Sequence, residues 1–145
     1  MKNLNKYINE AWSGVKKQSI KAEMEAWCEE MGIERYTIND KGEIDVNGNV
    51  YLQHRNFNEL PYRFGVVKGY FDIGNNPNLI SLKNCPNRVS DYFGCDNCSK
   101  LDSLEGCPKE VNDNFYCDDC KEKFTKEYVN SLCKVQGVID IFHIK

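Results

Sequence analysis

The chain has 145 residues, 41% of them hydrophobic and 12% aromatic, and carries a formal net charge of −3. This composition excludes a disordered chain, and the length predicts one domain. No apolar run approaches the roughly 18 residues of a transmembrane helix, and the polar residues after Met1 predict no secretory signal. We therefore expect a cytoplasmic protein without a membrane partner, whose eight cysteines are reduced.

Residues 1–35 predict two short amphipathic helices that are separated by Ser13 and Gly14. Ser19 is a plausible N-cap of the second helix, and Gly32 is a plausible C-terminal stop. Because a terminal repeat needs a cap with a polar outer face, we interpret this segment as a helical cap of the repeats described below. A partner-binding or dimerising helix is the alternative. The apolar stripes are Leu4, Tyr7, Ile8 and Trp12, then Ile20, Met24, Trp27, Cys28 and Met31.

Residues 36–52 change to the alternating pattern of β-strands. Asn47 and Gly48 form the dipeptide that most strongly indicates a hairpin, and residues 40–42 supply a second turn. Val50 and Leu52 match the strand positions of the repeat that follows, although they are one residue out of register. We therefore predict a hairpin that leads into a degenerate first repeat.

A unit of 22 residues recurs within residues 69–120. Its aromatic, aliphatic, cysteine and proline positions all keep the same step. The columns are Phe71/Phe93/Phe115, Ile73/Cys95/Cys117, Asn76/Cys98/Cys120, Leu79/Leu101, Leu82/Leu104, Cys85/Cys107, Pro86/Pro108 and Val89/Val111. A fixed period of this size indicates a solenoid, in which each unit buries its apolar side only against its neighbours.

This unit resembles the leucine-rich repeat, whose strand carries two inward apolar residues before an Asn or Cys and further leucines. It departs from that pattern by one extra residue before the next leucine, and by Phe71 and Phe93 in place of the usual aliphatic residue. The resemblance implies an α+β fold, a short leucine-rich-repeat-like solenoid with a small parallel sheet. Together with the hairpin, we place it in residues 36–121.

Residues 122–145 predict a helix followed by a strand, which together form a C-terminal cap. Thr125 is the expected N-cap, and Gly137 is expected to end the helix. Residues 138–142 are predicted to form a last strand that joins the sheet, so that the terminal edge is covered.

The whole chain is similar to a group of small proteins of tailed bacteriophages that carry such repeats. The resemblance rests on residues 36–40, residues 44–46, Leu60 with Pro61, and the Cys-Pro repeats, and residues 104–111 are especially close. It implies a phage origin and a repeat fold more firmly than it implies an activity.

Four cysteines form two Cys-x-x-Cys pairs, the formal pattern of a structural zinc site: Cys95, Cys98, Cys117 and Cys120. The repeat offers another origin for this spacing, because an earlier unit fills the same columns with Ile73 and Asn76. A buried free cysteine behaves as a small hydrophobe. We therefore favour stacked cysteine ladders and no cofactor. A zinc-stabilised nucleic-acid-binding module at these four cysteines is the alternative.

Acidic residues are concentrated in the repeats, where residues 91–119 contain eight of them against two lysines. Such a surface should repel nucleic-acid phosphates and attract a partner with a basic surface. The alternative is that these carboxylates only keep the loop edges solvated.

Alternation along the strands predicts one face that is rich in tyrosine. If Phe71 and Ile73 point inward, then Tyr70 and Asp72 point outward. The same parity in the other units gathers the candidate partner-binding residues on one surface: Tyr51, Tyr70, Asp72, Tyr92, Asp96, Tyr116 and Asp118. Aromatic side chains are common anchors of protein interfaces. The alternative is that these rings only shield the sheet from its own helices.

The sequence thus predicts a non-enzymatic protein-binding module. In the phage setting that the resemblance implies, it would bind a host protein, such as a defence or nucleic-acid enzyme, and inhibit or redirect it. No catalytic constellation is evident, because His54 and His143 have neither metal nor triad spacing and the glycines mark turns or helix ends.

Overall fold

The computed structural model describes residues 2–121 and 123–142, with side chains described from residue 14 onward. The chain divides into two compact units, Met1–Gly32 and Ile33–Lys145. Within the described residues, no helix combines the length and the apolar character that crossing a bilayer would need.

The first unit contains one helix, α1 (Lys2–Glu30), instead of the two predicted. Gly14 lies within this helix. A glycine inside a helix lowers the stability of the helix by about 1 kcal/mol, which is too little to end it. Ser19 is likewise an interior residue and caps nothing. Gly32 is the stop that was predicted, with a φ of 71° and its N–H donated to the carbonyl of Glu29 at 3.1 Å. The first apolar stripe, residues 4–12, lies outside the described side chains, and the capping role stays a prediction.

The second unit is a repeat solenoid, as predicted, and it contains two sheets. Sheet A has six strands in the order β1-β2-β4-β6-β8-β10, and sheet B has five in the order β11-β9-β7-β5-β3. All pairings are parallel except that of β1 with β2. The strands are β1 (Tyr36–Ile38), β2 (Ile44–Val46), β3 (Val50–Tyr51), β4 (Phe64–Val67), β5 (Phe71–Asp72), β6 (Arg88–Val89), β7 (Phe93–Gly94), β8 (Glu110–Val111), β9 (Phe115–Tyr116), β10 (Lys134–Val135) and β11 (Ile139–Asp140).

The second parallel sheet is a difference from the single sheet that the sequence predicted. The phenylalanine column forms sheet B, with Phe71, Phe93 and Phe115 in register. The valine column forms sheet A, with Val89 opposite Val111. Only a short corner separates Val89 from Phe93, so each unit contributes one short strand to each sheet. Strands of two residues are too short to show the alternation that reveals a strand in a sequence.

A residue in the left-handed conformation follows each of four successive strands of sheet B. These residues are His54, Asn75, Asn97 and Asp119, with φ values of 58°, 54°, 57° and 52°. Asn and Asp tolerate this conformation better than other non-glycine residues do. Asn97 Nδ2 also donates to Asn75 Oδ1 at 2.8 Å, which links the corners of two successive turns. Three of these positions keep the repeat step, although the sequence interpretation assigned them no role.

The hairpin that precedes the repeats is confirmed in part. β1 and β2 pair antiparallel, and the side-chain oxygen of Asn39 accepts two backbone N–H groups of the turn between them. Asn47 and Gly48 do not close a second hairpin, because the strand that follows them joins the other sheet. There, Val50 lies in register with Phe71, so the degenerate first repeat is confirmed.

The C-terminal segment contains the predicted helix and strand. Thr125 begins α2 (Lys126–Leu132), and its Oγ1 accepts the N–H of Tyr128 at 3.1 Å. The helix ends before Gly137, because the chain first enters β10. Gly137 lies at the corner before β11, where an added Cβ would meet a backbone carbon of Asp113 at 2.6 Å. β11 pairs with β9 and is the predicted last strand.

Stacked phenylalanine rings form the centre of the solenoid core. Phe71 and Phe93 are fully buried and nearly parallel, with their ring centroids 6.1 Å apart. Phe93 also contacts Phe115, at 5.1 Å between centroids. Each ring is therefore packed against the ring of the next turn, which ties core packing to the register between turns.

Replacing Phe93 with alanine should lower the free energy of unfolding by about 3–5 kcal/mol, because the ring is buried between two others. The control is Ile80→Ala, whose side chain is 56% exposed and whose loss should change that free energy by about 0.5 kcal/mol or less. Urea unfolding followed by circular dichroism measures both. A cost below about 1 kcal/mol at Phe93 would contradict the core assignment.

Candidate functional site

The outer surface of sheet B carries a row of tyrosine rings. Tyr70 stacks on Tyr92, with centroids 4.8 Å apart and an interplanar angle of 14°. Tyr116 meets Tyr92 edge-on at 5.4 Å. These three rings are half-buried, whereas Tyr51, on the edge strand β3, is 51% exposed. The rings lie opposite the buried phenylalanines, as strand parity predicts.

Hydrogen bonds fix three of the tyrosine hydroxyl groups. Tyr92 donates to Asp72 Oδ2 at 3.2 Å, and Tyr51 donates to a side-chain oxygen of Gln53 at 3.0 Å. Tyr116 accepts a bond from the amide of Asn114 at 2.8 Å. Burial, and next the charge of Asp72, raises the pKa of Tyr92. These rings are therefore held in defined positions, and the hydroxyl group of Tyr92 stays protonated at neutral pH.

Asp72 differs from the other predicted site residues because it is only 8% exposed. Its Oδ1 accepts the N–H of Gly74 at 2.9 Å, and its Oδ2 accepts bonds from Gln53 at 2.8 Å and from Tyr92. Gly94 lies beside it in register, and a Cβ there would lie 3.3 Å from Asp72 Oδ1. This carboxylate lies on the predicted side of the sheet. It is buried there, however, and accepts the hydrogen bond of the Tyr92 hydroxyl instead of facing solvent.

Asp96 and Asp118 lie in one column beside the rings, and both are half-buried. Asp96 Oδ1 accepts the N–H of Asp118 at 2.6 Å, and Asp118 Oδ1 accepts the N–H of Phe142 at 2.8 Å. Burial raises the pKa of Asp96 to about 6, and the charge of Asp118 adds to the effect. Burial also raises the pKa of Asp118. Tyr51, Tyr70, Tyr92, Tyr116, Asp96 and Asp118 together are called the tyrosine face below.

The Asn/Cys column forms a hydrogen-bonded ladder inside the solenoid. Asn76 Nδ2 donates to the carbonyls of Leu52 and Ile73, both at 2.9 Å, so this side chain reaches back to the preceding turn. The thiol of Cys98 makes the same backward contact with the carbonyl of Ile73 at 3.6 Å. That of Cys120 makes it with the carbonyl of Cys95 at 3.1 Å. Cysteine thus replaces asparagine as the donor in this column.

Three of the four cysteines in the Cys-x-x-Cys pairs meet. The sulfur atoms of Cys95, Cys117 and Cys120 all lie within 4.8 Å of one another, and Cys98 is outside this group. Hydrogen bonding to Cys117 and Cys120, with burial, raises the pKa of Cys95. Hydrogen bonding to Cys120, with burial, raises the pKa of Cys117. Burial raises the pKa of Cys98 to about 12. We call Cys95, Cys117 and Cys120 the thiol triad.

The other residues that the sequence singled out for chemistry are dispersed. Cys85 and Cys107 are buried core residues, and burial raises the pKa of both. His54 is exposed at a left-handed corner. His143 lies outside the described residues. In the described part of the chain, the thiol triad is the one group of three or more His, Cys, Asp or Glu ligand atoms close enough to share an ion.

No protein-family model matches this sequence, and neither the curated proteins nor the solved structures compared with it include a match. The repeat geometry alone establishes the fold. Membership of the leucine-rich-repeat family or of a phage family is not shown.

Protein purified without added zinc should contain far less than one zinc per chain, because Cys98 is bonded to carbonyl oxygens away from the triad. Elemental analysis measures the content, and a chelator should leave the melting temperature unchanged. Stoichiometric zinc together with unfolding on chelation would contradict the ladder interpretation.

Lowering the pH from 7 to 5 should stabilise the protein through Asp96. Its folded-state pKa of about 6 lies above its ordinary value of 3.8, so between these values the folded state binds the extra proton. We expect a gain of about 1 kcal/mol, less than the full shift implies, because solvent screens this half-exposed carboxyl.

Chemical denaturation at several pH values measures this dependence. Asp96→Asn should flatten it. The control Asp102→Asn should leave it in place, because Asp102 is exposed and Lys121 and Lys123 lower its pKa. An unchanged slope in Asp96→Asn would contradict the assignment.

Proposed function

We propose that this protein is a non-enzymatic binding module whose tyrosine face contacts a partner protein. The observation that carries the proposal is the contiguous row of Tyr70, Tyr92 and Tyr116, with the exposed ring of Tyr51 on the edge strand. Aromatic rings are enriched among the residues that dominate interface energies.

The rings are preorganised for such a role. Ring stacking and the hydroxyl bonds of Tyr92, Tyr116 and Tyr51 already restrict their rotation in the free protein. Binding therefore loses less side-chain entropy than it would with mobile rings, since each immobilised flexible side chain costs about 0.5–1.5 kcal/mol. A rigid aromatic row favours a protein surface as the ligand.

The charges beside the rings favour a basic partner. Asp96 and Asp118 are half-exposed next to the tyrosine row, and the segment around them is rich in acidic residues. Such a surface disfavours nucleic-acid phosphates and increases the rate of encounter with a positively charged protein surface. The alternative function, a zinc-stabilised nucleic-acid module, has less support. The acidic surface disfavours nucleic acid, and the triad offers three of the four ligands that structural zinc requires.

The sequence resemblance to phage proteins supports a more specific form of the proposal. In this form the partner is a bacterial host protein in the cytoplasm, which the module inhibits or redirects. A defence enzyme or a nucleic-acid enzyme fits the charge argument, because its substrate-binding surface is basic and an acidic face could occupy it.

The test compares capture from a bacterial lysate by the wild-type protein and by variants of the tyrosine face. For a captured partner, Tyr51→Ala and Tyr116→Ala should each weaken binding by about 2 kcal/mol, the scale of interface hot spots. The matched control is Val66→Ala on sheet A, whose side chain is 37% exposed and which should bind as the wild type does. Calorimetry measures the affinity, and thermal melting checks the fold.

The hydroxyl of Tyr92 donates a hydrogen bond to the buried Asp72. A second variant at Tyr92 must therefore separate the loss of the ring that contacts the partner from the loss of this hydrogen bond. Tyr92→Phe keeps the ring, whereas Tyr92→Ala removes both the ring and the contact. We expect Tyr92→Phe to retain most of the affinity that Tyr92→Ala loses. If Tyr51→Ala and Tyr116→Ala fold and bind as before, the tyrosine face is not the binding surface.

A further inference from the structure

The thiol triad has a geometry that neither the repeat ladder nor the proposed binding function needs. Its three sulfur atoms lie within 4.8 Å of one another. Cys95 and Cys117 are fully buried, whereas Cys120 is half-buried and is the most exposed of the three residues. Packing within one column explains why the sulfurs of Cys95 and Cys117 meet. It does not explain the third sulfur, because Cys120 belongs to the Asn/Cys column.

The register of the turns explains why three thiols meet and the fourth does not. Cys95 and Cys117 occupy the same core column in successive turns, whose strands lie about 4.8 Å apart. Cys120 then reaches back one turn and contacts the carbonyl of Cys95 at 3.1 Å. Cys98 makes the same backward reach, but the core residue it meets is Ile73, which has no thiol.

We propose that the thiol triad binds trivalent arsenic, supplied as arsenite, as a three-coordinate tris-thiolate adduct that joins two successive turns. The reaction is a condensation without oxidation or reduction. Three S–H bonds and three As–O bonds break, three As–S bonds form, and the three hydroxyl groups of arsenous acid leave as three molecules of water.

The number of thiols and the charge of the product favour this ligand over a metal cation. Arsenic(III) bonds to three sulfurs, whereas structural zinc requires four ligands. Three thiolates around a monovalent or divalent cation keep a net negative charge in a largely buried site, close enough to Asp96 for its charge to act on Cys117. The arsenic adduct is neutral, so the core that surrounds Cys95 and Cys117 does not have to solvate a charge.

The separation of the three sulfurs is also close to that in an adduct. An As–S bond is close in length to the Zn–S bond of about 2.3 Å, so the sulfurs of an adduct lie roughly 3.5 Å apart. The three sulfurs start within 4.8 Å of one another, so the approach that the adduct requires is about 1 Å, the scale of a side-chain rotation. Local opening at the half-buried Cys120 would admit the reagent.

The experiment treats the reduced, full-length protein with sodium arsenite under anaerobic conditions and records its intact mass. We expect one adduct per chain, with the mass of one arsenic added and three hydrogens lost. The melting temperature should rise, because the adduct forms on the folded state and links two turns. An unmodified mass, or an adduct that lowers the melting temperature, would overturn the proposal.

Variants identify the thiols. Cys117→Ser and Cys120→Ser should each reduce arsenite affinity by at least about 100-fold, since losing even an outer-shell partner of a bound metal costs 10–100-fold. Cys120 is half-buried, so its serine variant tests the site even if Cys117→Ser fails to fold. The matched control is Cys98→Ser, which changes the same ladder column one turn earlier and should bind as the wild type does. An equal loss of arsenite affinity in Cys98→Ser, or an intact adduct in Cys120→Ser, would refute the assignment of the site to the thiol triad.

A parallel titration with zinc separates the two chemistries. We expect the triad to retain arsenite and a mild chelator to remove zinc. Zinc that is retained at one per chain and requires Cys98 would overturn the proposal in favour of a four-thiolate site.

Discussion

The register between successive turns is the constraint on which the rest of this structure depends. Backbone pairing in two parallel sheets holds each residue over its equivalent one turn away, as Phe93 lies over Phe71 and Val89 over Val111. Every side-chain column therefore stacks on itself at the spacing of adjacent strands, about 4.8 Å. The core, the tyrosine face and the thiol triad are three results of this single arrangement.

A stacked column also lets residues from different turns support one another. Asp72 is buried beneath Tyr92 because Gly94, its neighbour in register, leaves room for the carboxylate. The thiol of Cys120 similarly replaces an asparagine amide as the group that meets the preceding turn. Substitutions within the repeat are therefore coupled across turns, and the effect of one residue depends on its equivalents above and below.

Features that repeat in the sequence could be predicted from it, and features set by neighbouring turns could not. The period identified the phenylalanine core, the Asn/Cys ladder and the solenoid, and capping chemistry identified Thr125 as the start of the C-terminal helix. The second sheet was missed because its strands in the later turns, β6, β8 and β10, have only two residues and show no alternating pattern. The burial of Asp72 was missed because strand alternation predicts only the side of the sheet on which a side chain lies. It does not predict which neighbouring side chains cover that residue. Gly14 was overestimated as a helix breaker, since its cost is small compared with that of proline.

The strands of sheet B keep their register even though the turns differ in length. Val50 pairs with Phe71 and Phe115 pairs with Ile139, and neither step is the 22 residues of the central units. The differences are absorbed in the segments that return from sheet B to sheet A, where α2 replaces an irregular stretch. A single residue inserted into a two-residue strand of sheet B would instead turn its side chains to the opposite side. The return segments are therefore where the chain can gain or lose residues during evolution, while the tyrosine face keeps its spacing.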